Sequence, residues 1–232
     1  MKPNVVVERV QTPAGEMVLS QRGSEFSIRL GSIELMNSRA HASEDALGRL
    51  GCEPLARQRA PRVLIGGLGL GYTLRAALDV LPAGARVDVI EIVSAVVRWN
   101  RAAVGEVARR PLEDPRVVVS VADVVDVIRA STAAYHSIIL DVDNGPDGLW
   151  EDNRELYRRN GLVALRRALV PGGLLAVWSS FDSPTFTRSL RELGFSAEVR
   201  AMRANGRKGS RHWIWLARLA AHERCISTDP IE

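Results

Sequence analysis

The chain has 232 residues, 46% hydrophobic and 25% charged, which suits one sizeable domain with a small appendage rather than two full domains. Its 31 Lys and Arg against 27 Asp and Glu leave a net charge of +4, which neither demands nor favours a nucleic-acid partner. No apolar run approaches the ~20 residues that span a bilayer, and the opening MKPNVVVERVQTPAGE lacks the core of a signal peptide, so a cytoplasmic protein without a membrane partner is expected.

The first 40 residues alternate in the β manner. NVVVERVQT, MVLSQRG and FSIRLGSIELM are punctuated by Pro13, Ala14, Gly15, Gly23 and Gly31, which predicts a small antiparallel β-unit over 1–42. Residues 43–58 open with Ser43 and two acids, as a helix would, although Gly48, Gly51 and Pro54 make it poor in propensity. From residue 62 the rhythm becomes strand, helix, strand, helix. Strands are predicted at 62–66, 86–91, 116–121, 137–142 and 174–179, with helices near 72–81, 93–109, 122–130, 152–169 and 184–193.

These strands are rich in Val, Ile and Leu without strict alternation, the mark of a parallel sheet covered on both faces. The chain then ends differently: FSAEVRAMR, a basic turn ANGRKGSR and HWIWLARLA make a hairpin, so one of its strands runs antiparallel. The expectation is a seven-stranded, mostly parallel, doubly wound α/β sheet with a C-terminal antiparallel hairpin. This is a class I methyltransferase-like Rossmann fold over 43–220, followed by a loose tail at 221–232.

The stretch RVLIGGLGLGYTLR at 62–75 places Gly67, Gly69 and Gly71 between a strand and a helix start, where α/β sheets bind ligands. A dinucleotide fingerprint would need glycine at position 72, which is Tyr72, and a phosphate-binding loop would need a lysine that is absent. A nucleoside without a pyrophosphate fits better. Glu91 ends the second strand, where a carboxylate can accept both ribose hydroxyls. Asp123 follows the third strand, either meeting an adenine edge or capping the next helix. Asp141 closes the fourth strand. Three carboxylates at the ends of successive strands, beside the glycine loop, point to an adenosyl nucleoside.

Other residues carry less. Asp143, Asn144, Asp147 and Trp150, in DVDNGPDGLWED, form the expected wall of an acceptor pocket. Tyr72 either lines the nucleoside pocket or packs under the loop, and Trp178 reads as core. Trp213 and Trp215 share one strand face and should pack on a helix or a partner subunit. Arg203, Arg207, Lys208, Arg211 and His212 cluster at the hairpin turn, read as a solvated tip or a surface for an anionic partner. Cys52 and Cys225 show no metal-ligand spacing, and His41, His136, His212 and His222 are scattered, so no metal site is expected.

From 62 to about 195 the chain resembles the spermidine synthase (polyamine aminopropyltransferase) family, on VLIGGLGLGYTLR, VDVIEI, DPRVVVSVADV, IILDVDNGPDGLW and ELYRRNGLVALRRALVPGG. The resemblance implies a homodimeric transferase that binds decarboxylated S-adenosylmethionine, without a metal, and delivers an aminopropyl group to a polyamine. Gly67, Gly69 and Gly71 would seat the donor, Glu91 its ribose, Asp123 its adenine and Asp141 its reactive end. Asp143 and Asn144 would stand where the family prepares the attacking amine.

The chain also departs from that pattern. The loop aspartate that holds the donor's ammonium is replaced by Leu70, and the second acid after the fourth strand falls on Asn144. The acids and Tyr-His element after the β domain are reduced to His41, Glu44 and Asp45 in SRAHASEDAL. An alkylamine titrates near ~10, so freeing its lone pair at neutral pH costs about 4 kcal/mol, and acids help to hold the cation. The nucleoside half is intact and the polyamine half eroded. Transfer of a methyl group from intact S-adenosylmethionine, or nucleoside binding without catalysis, therefore stand as the alternatives.

Overall fold

In the computed structural model, the valine-rich opening folds into an antiparallel meander of β1 (Val5–Thr12), β2 (Gly15–Arg22), β3 (Glu25–Leu30) and β4 (Ile33–Asn37), in the order β1-β2-β3-β4. The structure describes residues 2–142, 145–146, 155–206 and 208–221. Alternation buries Leu19, Phe26 and Ile28, while Val5, Val6 and Val7 remain exposed on the edge strand β1.

Helix α1 (Ala42–Cys52) follows, and its poor propensity has a packing cause. A Cβ on Gly48 would lie 2.2 Å from the carbonyl oxygen of Thr73, and one on Gly51 would lie 2.8 Å from Cδ1 of Ile139. The glycines that weaken the helix let it press directly onto the neighbouring helix and the sheet.

The rest alternates as expected: β5 (Arg62–Gly66), α2 (Tyr72–Val80), β6 (Arg86–Glu91), α3 (Ser94–Arg101), β7 (Val117–Val121), α4 (Val124–Arg129), β8 (Tyr135–Leu140), α5 (Arg159–Ala168), β9 (Leu169–Ser179), α6 (Pro184–Glu192), β10 (Phe195–Asn205) and β11 (Lys208–Leu219). The sheet order is β10-β11-β9-β8-β5-β6-β7. Strands β5 to β9 pair in parallel, and β11 runs antiparallel to both β9 and β10. This is the seven-stranded sheet read from the sequence, with the antiparallel meander before it.

Differences are local. The helix expected over 93–109 stops at Arg101 and gives way to a 3-10 turn at Ala103–Ala108. Asn100 turns its amide onto the carbonyls of Val96 and Gly69, at 3.0 and 2.8 Å, and the backbone leaves the helical region at Ala102. Strand β9 starts five residues earlier than the expected 174.

Strand β5 shows why the sheet is sandwiched: Val63 and Ile65 face one core and Leu64 the other, each at 0% exposure. Burying such side chains stabilises the fold by roughly 2 kcal/mol apiece. The core on the Ile65 side continues into the N-terminal meander through Leu19, Phe26 and Ile28. The chain runs outward from β5 through β6 to β7, then returns to lay β8 on the opposite side. That reversal opens a crevice at the carboxyl ends of β5 and β8.

Candidate functional site

Gly67, Gly69 and Gly71 bridge β5 and α2 with φ values of +86°, +52° and +87°. A Cβ on Gly67 would come within 2.3 Å of the carbonyl oxygen of Asp141, so this position needs glycine both for its backbone and for space. The loop after β5 is thereby drawn against the end of β8.

Glu91 closes β6 with 7% of its surface exposed. Its Oε2 accepts the amide hydrogen of Leu68 at 2.9 Å, and its Oε1 accepts that of Val93 at 2.8 Å. Burial pushes this carboxyl above the ordinary range, while the amide hydrogen bonds pull it back down. The residue that sequence reasoning assigned to a sugar thus also tethers the glycine loop.

Asp123 caps α4, accepting the amide hydrogen of Val125 at 2.8 Å, and it lies on the wall of the same cavity. The two sequence readings of Asp123 are compatible, because a cap at the end of β7 already stands in the crevice.

Asp141 lies just past β8. Its Oδ2 accepts the hydroxyl of Thr73 at 2.5 Å, and burial raises its carboxyl to about 6 against that hydrogen bond. Glu44 of α1 lines the same cavity, its carbonyl 3.3 Å from that Thr73 hydroxyl oxygen, and its carboxyl is pushed up to about 7 by burial and by the negative charge of Asp141. The Ser43 hydroxyl donates to Glu44 Oε2 at 2.5 Å, and Ser43 Oγ also lies 2.8 Å from Nδ1 of His212. Sequence reasoning named Glu44 within SRAHASEDAL and gave it no place in the site. Its position depends on α1 packing beside α2, about 100 residues from Asp141 in sequence.

The cavity between the N-terminal meander and the strand ends has a volume of about 470 Å³. Besides the loop and the four acids, its lining includes Met36, Leu70, Tyr72, Trp178 and His212. Leu70 is 3% exposed. Tyr72 stacks on His41 with ring centroids 3.8 Å apart, and its hydroxyl donates to the Ser38 carbonyl at 3.3 Å, so it joins the meander to the loop.

One sequence reading is extended here and one corrected. Trp178 packs against the core, as read, but it is only half-buried and also lines the cavity, because it sits at the carboxyl end of β9, where the sheet opens into the crevice. Its Nε1 is buried without a hydrogen-bond partner among the described residues. His212 leaves the basic hairpin turn and faces inward, with its ring edge-on to Trp178 at 4.6 Å. Strand alternation accounts for this: Arg211 before it is exposed, while His212 points to the opposite face.

Elsewhere Trp215 is fully buried, its Nε1 donating to Thr187 of α6 at 2.8 Å, which is the helix packing expected of it. Arg203, Lys208 and Arg211 are exposed. Asp143, Asn144, Asp147, Trp150, Arg207 and Cys225 lie outside the described residues. Among the described residues no group of three His, Cys, Asp or Glu gathers as around a metal ion, and no helix is long and apolar enough to cross a membrane.

Residues 51–192 match the family model of the spermine/spermidine synthase domain. Putrescine N-methyltransferase 4 of Nicotiana tabacum is 32% identical over 114 residues, which is 49% of this chain and 28% of that protein. Putrescine N-methyltransferase 1 of Nicotiana attenuata is likewise 32% identical over 114 residues and 28% of its length. The matched stretch therefore spans under a third of these relatives.

Among solved structures, a spermidine synthase in complex with the transition-state analogue AdoDATO superposes with a TM-score of 0.73 at 16% identity, covering 94% of this chain and 73% of that one. Spermidine synthase from Thermotoga maritima gives 0.72 at 15% identity, covering 94% and 74%. At such identities these likenesses show the shared fold.

Proposed function

Because this chain belongs to the spermine/spermidine synthase family, we propose that it is a transferase that holds an S-adenosyl-type donor along the carboxyl ends of β5 and β6 and moves its aminopropyl group to an amine. The observation that carries this reading is the placement of two carboxylates, Glu44 and Asp141, in the cavity that is also lined by the glycine loop and Glu91.

The residues present fit such a donor. The cavity volume is within the range of small-molecule sites. A carboxylate oxygen has two lone pairs, so each oxygen of Glu91 can serve one backbone amide and one ribose hydroxyl together. Gly67, Gly69 and Gly71 leave the loop backbone open to close approach, and Asp123 stands at the adenine end. When bound, the donor supplies a carbon made electrophilic by its sulfonium.

The chain itself supplies alignment and charge. Asp141 and Glu44 lie at the end of the crevice where a cation would rest, and the amine acceptor, a polyamine in this reading, arrives as a cation. Asp143 and Asn144 are proposed to orient it with them. Ionised carboxylates at this point offset the desolvation of an ammonium and of the sulfonium alike. The raised pKa values describe the cavity with no cation in it, so cation binding should draw both acids back towards ionisation.

Leu70 favours a second reading. It is a buried apolar side chain on the cavity wall, at the loop position where the family places an aspartate for the donor's ammonium. A carboxylated donor meets no repulsion there, so transfer of a methyl group from intact S-adenosylmethionine is the alternative. The two readings differ in the nucleoside released. With putrescine as acceptor, aminopropyl transfer releases methylthioadenosine and methyl transfer releases S-adenosylhomocysteine. Chromatography of the spent reaction separates them, and neither nucleoside from either donor would contradict both.

A further inference from the structure

We propose that Glu44, Ser43 and His212 form a proton relay that takes the proton lost by the acceptor amine and passes it through the buried serine to the imidazole. The relay rests on the transferase reading above. Joining an ammonium to a sulfonium-activated carbon releases one proton. The ammonium gives up a proton, its lone pair forms the N–C bond, and the C–S bond breaks with its electrons going to sulfur. In the cavity between the meander and the strand ends, that proton needs a first acceptor and a path away from the reacting amine.

The geometry supplies both. Glu44 lines the cavity, its Oε2 is 2.5 Å from Ser43 Oγ, and Ser43 Oγ is 2.8 Å from Nδ1 of His212. Ser43 is itself fully buried, so its hydroxyl exchanges with these two neighbours rather than with bulk water. His212 is half-buried on β11 and lines the same cavity, so its imidazole is the more exposed end of the chain that starts at the buried serine.

At rest, Nδ1–H donates to Ser43 and Ser43 donates to ionised Glu44. After the neutral imidazole has exchanged its one ring hydrogen with water, losing it from Nδ1 and gaining one at Nε2, a protonated Glu44 passes its hydrogen to Ser43 Oγ as the serine's own hydrogen passes to Nδ1. The resulting imidazolium releases the Nε2 proton to water and restores the resting arrangement.

The surroundings suit both ends of the chain. Glu44 is faced by Asp141 from the end of β8 and by Asp45 of its own helix, whose negative charges favour its holding a proton, and by the Tyr72 phenol of α2, which burial and the charges of Asp45 and Glu44 push up to about 12 and so keep neutral. Burial raises it to about 7. His212 is faced by Ser43 of α1 and by the edge of Trp178, and burial lowers it, which favours release of the proton once it arrives. Glu44 is the proposed catalytic residue, while Ser43 and His212 act through it as positioning residues.

The test uses the whole chain and two readouts. In ¹⁵N NMR of the imidazoles, the relay predicts a resting His212 with its hydrogen on Nδ1 and a His212 titration that shifts in Glu44→Gln. In Ser43→Ala that coupling should vanish. In turnover with putrescine and either donor, Ser43→Ala should move the ascending limb of the pH profile to higher pH, since the hydroxyl that stabilises ionised Glu44 is gone. His212→Ala should slow turnover by about tenfold or more with donor affinity unchanged, and added imidazole should restore it.

Active variants with unmoved pH profiles, no rescue and no coupling in the spectra would overturn the relay and leave Ser43 and His212 as a clamp between α1 and β11. A wild-type protein that binds neither donor would overturn the transferase reading itself, a result distinct from the loss of coupling.

Discussion

The Oε2 of Glu91 accepts the amide hydrogen of Leu68 at 2.9 Å, so the carboxylate that ends β6 holds the loop that follows β5. A second bond to Val93 at 2.8 Å fixes the other oxygen. Replacing Glu91 by Gln presents an amide group to two backbone donors and leaves at least one without an acceptor. Unfolding by denaturant should show a loss of about 1–3 kcal/mol.

Gly67→Ala tests the close approach of loop and strand. The new methyl would meet the Asp141 carbonyl at 2.3 Å and must adopt φ near +86°. A loss of about 2–4 kcal/mol is expected, which for a chain of this length lowers Tm by roughly 2–4 °C per kcal/mol. Calorimetric melting of the variant checks it.

The carboxyls of Glu44 and Asp141 set a pH dependence of known sign. Both titrate above their ordinary values in the folded chain, at about 7 and about 6. Their ionised forms therefore cost more folded than unfolded. Stability is greatest below their ordinary pKa values near pH 4 and falls as pH rises through 6 and 7. Glu44→Gln should raise stability at pH 8 by about 1–3 kcal/mol, after allowance for solvent screening at a partly exposed residue. The gain should disappear near pH 4. Melts of both proteins across that range give the comparison.

Leu70→Asp would return an acid to the loop. With an acid there, affinity for decarboxylated S-adenosylmethionine should rise by about tenfold relative to the intact molecule, whose carboxylate it would repel. The apo protein should lose about 1–3 kcal/mol, because a charge replaces a buried leucine. Parallel titrations of the two donors into both proteins read out the ratio.

Much of this architecture was legible because parallel strands have no solvent face: runs such as RVLIG and VDVIE identify themselves by continuous apolar character. The glycine loop, Glu91, Asp123 and Asp141 follow from the strand ends, since the doubly wound order brings those ends to one edge. Glu44 was not legible in the same way. Its helix carries Gly48 and Gly51, which read as weakness in the sequence and prove to be contact points with Thr73 and Ile139. His212 was hidden by its basic neighbours, because composition at the hairpin turn masks the alternation that points one residue inward. Trp178 packs against the core as its sequence suggests, but its second role on the cavity wall was not legible, because an apolar strand end looks the same whether a helix or a cavity lies beyond it.

The most direct test of the donor site is calorimetric titration of methylthioadenosine, S-adenosylmethionine and its decarboxylated form into the wild-type chain and Glu91→Gln. The account predicts that the wild type binds the nucleoside and at least one donor, and that Glu91→Gln loses about tenfold or more in affinity for each ligand bound, as the ribose loses a charged acceptor. Equal affinity in the two proteins, or no heat with any of the three ligands in the wild type, would contradict it.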